Sequence, residues 1–245
     1  MTLLSINLNK VALLRNQREM SYPSVLGTAE AVIAAGARGI TVHPRPDERH
    51  IRRQDVRELS ALIEKNYRNE VEFNVEGYPT DDFVALVLET RPRQVTMVPD
   101  PPEAHTSDQG WDFVAHKDFL KERVATFKAA GLRVAAFTDP DPEAVAQAQE
   151  TGTDRVEIYT GPYGAAYGGR DQQKTFEACC AAGLMAREVG LGLNAGHDLN
   201  LENLPPLRQA LPWLDEVSIG HAFTADALIM GYDLAVKSYL KALTI

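Results

Sequence analysis

The sequence predicts an α/β fold, a TIM (β/α)8 barrel forming one domain over residues 1–245 with extra short helices in its loops. Three observations predict it. Eight short β-rich runs alternate with longer helical patterns from end to end, and strict alternation implies parallel strands joined by right-handed crossovers. The length of 245 residues is close to the roughly 250 of a minimal eight-fold barrel. Polar residues able to do chemistry collect where the runs end, and the catalytic face of such a barrel lies at the C-terminal ends of its strands.

The strand candidates are residues 3–8, 39–43, 71–75, 94–98, 133–138, 155–160, 192–195 and 216–219. Most are rich in Val and Ile and flanked by Gly, Pro or charged residues. After the second run, Val56, Leu59, Leu62 and Ile63 recur at helical spacing and should face the sheet. After the third, Thr80-Asp81-Asp82 puts a capping hydroxyl and two carboxylates at the start of a helix over 83–89, where the helix dipole favours negative charge. After the fifth, Asp141-Pro142-Glu143 supplies cap, first-turn proline and acid for a helix over 144–150. Gly131, Gly152 and Gly190 follow the ends of helical patterns, where a left-handed terminating residue is wanted. The last helix is expected over 225–243, carrying Leu228, Leu234, Tyr239 and Leu240.

Composition removes several function classes. A hydrophobic fraction of 44% supports a substantial core and excludes disorder. A formal net charge of -9 argues against a nucleic-acid surface, which needs a basic face, although it leaves local anion sites open. No basic segment leads into an apolar stretch at the start, and no apolar run approaches the roughly 18 residues of a membrane span. Cys179 and Cys180 are neighbours in an Ala-rich helical stretch, without the spacing of a zinc site or a disulfide framework. A cytoplasmic protein without membrane or nucleic-acid partners is the expectation.

The strand ends carry the functional signal. The first run ends with Asn7, Asn9 and Lys10, and the second with His43 and Arg45; the third contains Glu72 and the sixth Glu157. The seventh ends Asn194-Ala195-Gly196-His197 and the eighth Gly220-His221. Four of the six histidines (His43, His50, His197 and His221) lie on or just beyond strand ends. Imidazoles exchange protons near neutral pH, and inward carboxylates act as bases or stabilise positive charge. Arg18, Arg45 and His50 sit on loops where cations hold phosphate, while Gly196 and Gly220 let backbone N–H groups approach an anion. Glu72 and Glu157 also fit barrel-core carboxylates paired with arginine, and His50 fits a solvated loop histidine. His105 and His116 read as surface residues; Trp111, Trp213, Tyr163 and Tyr167 read as packing or loop-ordering residues. Local zinc signatures are absent, although histidines of the second, seventh and eighth strands could still converge on a metal.

Several of these stretches resemble the pyridoxine 5′-phosphate synthase family. They are Asn7-Leu-Asn-Lys-Val-Ala-Leu-Leu-Arg-Asn16, Gly39-Ile-Thr-Val-His-Pro-Arg-Pro-Asp-Glu-Arg-His-Ile51, Val71-Glu-Phe-Asn-Val-Glu-Gly77, Val95-Thr-Met-Val-Pro-Asp100, Val156-Glu-Ile-Tyr-Thr-Gly161, Leu193-Asn-Ala-Gly-His197 and Val217-Ser-Ile-Gly-His-Ala222. The resemblance implies condensation of 1-deoxy-D-xylulose 5-phosphate with 3-amino-2-oxopropyl phosphate to pyridoxine 5′-phosphate, phosphate and water. It implies no metal or organic cofactor, two phosphorylated substrates, and a homo-octamer built as a tetramer of dimers. It makes His43 and Glu72 proton acceptors, His197 the proton donor and Glu157 a transition-state stabiliser. Arg45, His50 and Thr106 correspond to contacts with the deoxyxylulose phosphate; Asn7, Arg18, Gly220 and His221 correspond to contacts with the aminoketone phosphate. Two departures stand out. Asn9-Lys10 replaces Asp-His at substrate-binding positions, and Asp198 replaces a glycine. The Asp198 backbone N–H keeps a main-chain contact to phosphate available, whereas its carboxylate must turn away from the anion. The competing readings are a barrel aldolase or isomerase acting on sugar phosphates, for which Lys10 is the only strand-end lysine, and a non-catalytic phosphometabolite-binding barrel.

Overall fold

The computed structural model describes residues 1–100 and 107–244. The β-rich runs form eight parallel strands, each paired with both neighbours so that the sheet closes on itself in sequence order. The strands are β1 (Leu3–Asn7), β2 (Gly39–Val42), β3 (Glu72–Gly77), β4 (Gln94–Met97), β5 (Arg133–Thr138), β6 (Arg155–Tyr159), β7 (Gly192–Gly196) and β8 (Glu216–Ile219). Around them, among the described residues, run α1 (Asn9–Arg15), α2 (Val25–Ala34), α3 (Arg53–Asn66), α4 (Asp81–Thr90), α5 (Lys117–Ala129), α6 (Pro142–Gln149), α7 (Gly161–Ala166), α8 (Gln172–Glu188), α9 (Leu204–Ala210), α10 (His221–Met230) and α11 (Tyr232–Ala242). None is long and apolar enough to cross a membrane.

Period-two alternation separates two environments. Leu4 and Ile6, Ile40 and Val42, Val156 and Ile158, and their equivalents on the other strands are buried in the apolar core. Burial of each such side chain against the helices contributes about 1.5–3 kcal/mol. Many of the alternate positions are polar and point into the barrel. Ser5 and Thr41 hydroxyls lie 2.6 Å apart, and Gln94 of β4 donates to Glu216 of β8 across the interior at 3.1 Å. At the N-terminal end this polar column becomes an ionic floor. Arg133 of β5 pairs with Glu72 and donates to Gln94 at 2.8 Å, while Arg155 of β6 lies 3.6 Å from Glu216.

The local signals hold where the structure tests them. Thr80 accepts from the Phe83 N–H at 3.2 Å, and Asp141 accepts from the Glu143 N–H at 3.0 Å. Gly131, Gly152 and Gly190 are left-handed, with φ of 81°, 81° and 77°. Trp111 is buried with its indole N–H donating to the Met97 carbonyl at 2.9 Å, and the buried Tyr163 hydroxyl donates to the Asn203 carbonyl. His116 is exposed, and His105 lies outside the described residues. Two expectations need correction. The last helix is not continuous over 225–243: it begins at His221 and breaks at Gly231, whose φ of 80° no right-handed helix accommodates. Leu228 and Leu234, expected on its apolar face, are exposed. The 161–170 segment carries the helix α7, and Gly161 packs so tightly that a Cβ there would stand 2.3 Å from the Tyr159 ring.

Candidate active site

At the C-terminal mouth a cavity of about 380 Å³ gathers residues from β1, β3, β5, β6 and β8 and from the segments that follow β1, β2, β4, β7 and β8. Of the residues expected from sequence, Asn7, Asn9, Lys10, His43, Arg45, His50, Glu157, His197, Asp198, Gly220 and His221 all line it. Thr106 lies outside the described residues. Arg18 is exposed on the turn after α1 and does not line the cavity of its own chain. Glu72 is the main correction. It opens β3 on the barrel floor, bound to Arg133, as the paired-carboxylate reading foresaw. The β3 carboxyl at the mouth is Glu76, four residues on and about 13 Å away at strand rise. A signal for it was present: four residues preserve the inward direction, and the catalytic end of a parallel strand is its C-terminal one.

The β1 end is organised by amides. Asn7 Nδ2 donates to Glu76 Oε2 at 3.4 Å, Asn7 Oδ1 accepts from the Asn9 N–H at 3.0 Å, and Asn9 Oδ1 accepts from the His43 N–H at 2.9 Å. Asn9 therefore joins the ends of β1 and β2. The loop after β2 is pinned from α1. Arg15 forks onto the buried Asp55 at 2.5 and 2.9 Å and donates to the His50 carbonyl. Asn16 reaches the carbonyls of Glu48, Arg49 and His50. Arg45, Arg49 and His50 are thus presented on a braced loop. Arg45 is held by Asp100 at 2.5 Å, which also accepts from the Ser107 hydroxyl at 2.6 Å.

The electrostatics favour uncharged acid–base groups. Burial, then the charges of Arg45, His50 and Arg49, hold His43 well below the ordinary imidazole value. Burial and the same arginines depress His50 to about 4, so it enters the site neutral, its Nδ1 accepting from the Ile51 N–H at 2.9 Å. Burial, with repulsion from Glu216 and Asp100, pushes Glu76 up to about 8. Burial and the nearby Glu76 and Glu216 push Glu157 well above the carboxylate range. Among the described residues Glu157 Oε2 has no hydrogen-bond partner. Burial and mutual repulsion thus favour the protonated form of both carboxyls relative to an ordinary carboxylate.

The seventh and eighth strands supply the other side of the mouth. Gly196 must lack a Cβ, which would stand 2.2 Å from Glu157 Oε1. His197 and Asp198 follow, with Nδ1 and Oδ2 3.0 Å apart; that hydrogen bond, ahead of an opposing contribution from burial, lowers the Asp198 carboxyl. Gly220 and His221 open the ten-residue helix α10, whose N-terminal N–H groups suit an anion. No group of three or more His, Cys, Asp or Glu residues among those described is arranged to hold a metal ion. A larger cleft of about 730 Å³ between α3 and α4 contains none of the strand-end groups.

A closed parallel barrel whose mouth joins buried carboxyls that favour their protonated form, the buried imidazole of His43, the half-buried imidazoles of His50 and His197 and a set of anion donors defines an acid–base enzyme for anionic small molecules. The chain matches, over residues 4–244, the family described as Pyridoxal phosphate biosynthesis protein PdxJ, and it belongs to that family. It is 51% identical to a pyridoxine 5′-phosphate synthase of Brucella anthropi, with 98% of each chain covered. It is 48% identical to one of Christiangramia forsetii, with 99% of this chain and all of the other covered. Among solved structures, one from Aquifex aeolicus superposes with a TM-score of 0.68 at 17% identity, covering 100% of this chain and 94% of that one. Phosphoribosyl anthranilate isomerase of Thermotoga maritima gives 0.60 at 13% identity, covering 99% and 98%. These two likenesses are of fold alone.

Proposed function

We propose that this chain acts as a pyridoxine 5′-phosphate synthase, condensing 3-amino-2-oxopropyl phosphate with 1-deoxy-D-xylulose 5-phosphate. The carrying observation is the convergence of His43, Glu76, Glu157 and His197 on one cavity beside two sets of anion donors, in a chain of that family. Lys10, Arg45 and His50 form one set, with Thr106 assigned to it by resemblance; Asn7, Gly220, His221 and the start of α10 form the other. Arg18, exposed on its own chain, joins the second set only when chains assemble, which agrees with a homo-octamer made of four dimers. The working unit is one barrel domain over residues 1–245, cytoplasmic, requiring no metal or organic cofactor.

In the reaction the aminoketone amine attacks the ketone of the deoxyxylulose phosphate, and water leaves as the imine forms. His43 and Glu76 move the protons that turn imine into enamine, and phosphate departs from the sugar-derived part. The enamine carbon then attacks the remaining carbonyl, His197 protonates the departing oxygen, and a second water leaves as the pyridine becomes aromatic. Glu157, whose protonated form burial favours, hydrogen-bonds oxygen as charge develops on it. Holding both reactants together is worth about 7–11 kcal/mol when geometry is right, and each acid–base group about 10²–10⁴-fold. Incubating the purified protein with both phosphates must give a fluorescent pyridine and free phosphate. A borohydride-trapped adduct on Lys10, or phosphate binding without product, would instead support the aldolase or the non-catalytic barrel.

A further inference from the structure

We propose that Asp198 is a positioning residue whose carboxylate fixes the His197 ring, so that Nδ1 keeps its proton and Nε2 exchanges protons with substrate. This inference rests on the acid–base reading of the mouth and adds a residue to it. The argument starts with the backbone. His197 and Asp198 are consecutive non-glycine residues at φ of 78° and 58°, a conformation that L-residues avoid and glycine adopts without penalty. Such strain persists where the surroundings over-determine it, and it concentrates at functional sites. Here Thr160 Oγ1 lies 2.7 Å from the Gly196 carbonyl oxygen and 2.6 Å from that of His197. Asn203 Nδ2 donates to the Asp198 carbonyl at 3.0 Å. Gly164 sits so close that a Cβ there would be 2.7 Å from the same oxygen.

The held backbone brings two neighbouring side chains together, Asp198 Oδ2 to His197 Nδ1 at 3.0 Å. An ionised carboxylate only accepts, so the ring nitrogen facing it is the N–H, and the bond made by one imidazole nitrogen decides the state of the other. Tyr159 closes on the same ring edge-to-face, with centroids 5.2 Å apart. Both side chains are partly exposed, and as a surface ion pair the contact would contribute little stability. A role in stability therefore does not explain a carboxylate at a position where glycine would relax the chain. A role in orienting a proton donor does. Lys10 and His221 line the same cavity and offset the Asp198 charge towards an incoming anion.

The test uses Asp198→Gly, which relieves the backbone and so spares folding, and Asp198→Asn, which keeps an acceptor oxygen. NMR shifts of the His197 ring nitrogens, assigned with His197→Gln, are read beside steady-state kinetics. The wild type should show the Nδ1–H tautomer, and Asp198→Gly should lose it. In Asp198→Gly kcat should fall about 10–100-fold, the scale of a misplaced catalytic group, with KM for both phosphates within about threefold of wild type; Asp198→Asn should recover most of the loss. An unchanged tautomer in Asp198→Gly, or an effect confined to KM, would overturn the proposal. A wild type making no pyridine would defeat the proposed reaction instead, and the ring tautomer would still decide the role of Asp198.

Discussion

Glu72 and Glu76 lie on one strand and face the same interior, yet their removal should have opposite consequences. Folded Glu76 titrates near 8 against an ordinary 4.5. At pH 7 the unfolded carboxyl is ionised and the folded one is mostly protonated, so folding must take up a proton from neutral solution. Across the pH span from 4.5 to 7, at about 1.4 kcal/mol per unit, this costs on the order of 3 kcal/mol. Glu76→Gln removes that cost while keeping an acceptor for Asn7, so it should stabilise the protein by about that amount and lower kcat by about 10²–10⁴-fold. For Glu72 burial acts upward, but the hydrogen bond and charge of Arg133 bring its carboxyl below the ordinary value. Its stability contribution is present above the ordinary carboxyl range and lost as pH falls through the depressed value. Glu72→Gln leaves Arg133 with a weakened partner in a half-screened site, costing about 1–2 kcal/mol, with turnover within a few-fold of wild type. Urea unfolding followed by circular dichroism at fixed protomer concentration, beside a pyridine-formation assay, reads both quantities. A folded Glu72→Gln without activity, or a Glu76→Gln of normal activity, would refute the assignment of floor and mouth.

Gly196→Ala drives a methyl into Glu157 Oε1; it should cost about 1–3 kcal/mol by overpacking and lower kcat at least about tenfold, and normal kinetics would show that Glu157 is not held where chemistry occurs. Arg15→Ala leaves Asp55 buried without its fork and unpins the loop carrying Arg45 and His50, so urea unfolding should report a loss of about 3–5 kcal/mol and KM for the deoxyxylulose phosphate should rise. His50, at about 4 in the free protein, should titrate at higher pH when inorganic phosphate occupies the mouth. Proton NMR of its ring checks this, and a titration unmoved by phosphate would place the anion elsewhere.

The fold was legible because the barrel writes itself twice in the sequence. Alternation along each strand separates core from interior, and left-handed glycines such as Gly131 and Gly190 mark where helices stop before strands. Gly231 escaped because it sits within an apolar helical pattern, where nothing in the spacing distinguishes a break from a tolerated glycine. The histidines of the site were legible from their placement at strand ends, since a strand end fixes which mouth a side chain joins. Glu76 escaped for the converse reason: the strand was read as ending at Val75, and Glu72 shares the same inward parity, so periodicity could not choose between them. Depth along the strand is set by register against β2 and β4, where Gly39 pairs with Glu72 and Glu76 with Thr96. That is long-range information which a single segment does not carry.

The same column of inward carboxyls thus serves two ends of the barrel, and cation supply decides what each end does. On the floor Glu72 is bound by Arg133, and Glu216 is approached by Arg155, so charge is compensated within the fold. At the mouth Arg45 is held by Asp100, while burial and mutual repulsion keep Glu76 and Glu157 above the usual carboxylate range. The two ends respond to pH in opposite senses. Acidification protonates Glu72 and weakens the floor, whereas raising the pH through about 8 ionises Glu76 in a buried, already acidic mouth. The Glu72 contribution is lost below the ordinary carboxyl value of 4.5 and the Glu76 penalty grows from there to about pH 8, so these two groups together place the stability maximum near 4.5. The decline between about pH 4.5 and 8 should flatten in Glu76→Gln and the acid decline in Glu72→Gln, because each substitution removes the titration that drives one side of the window.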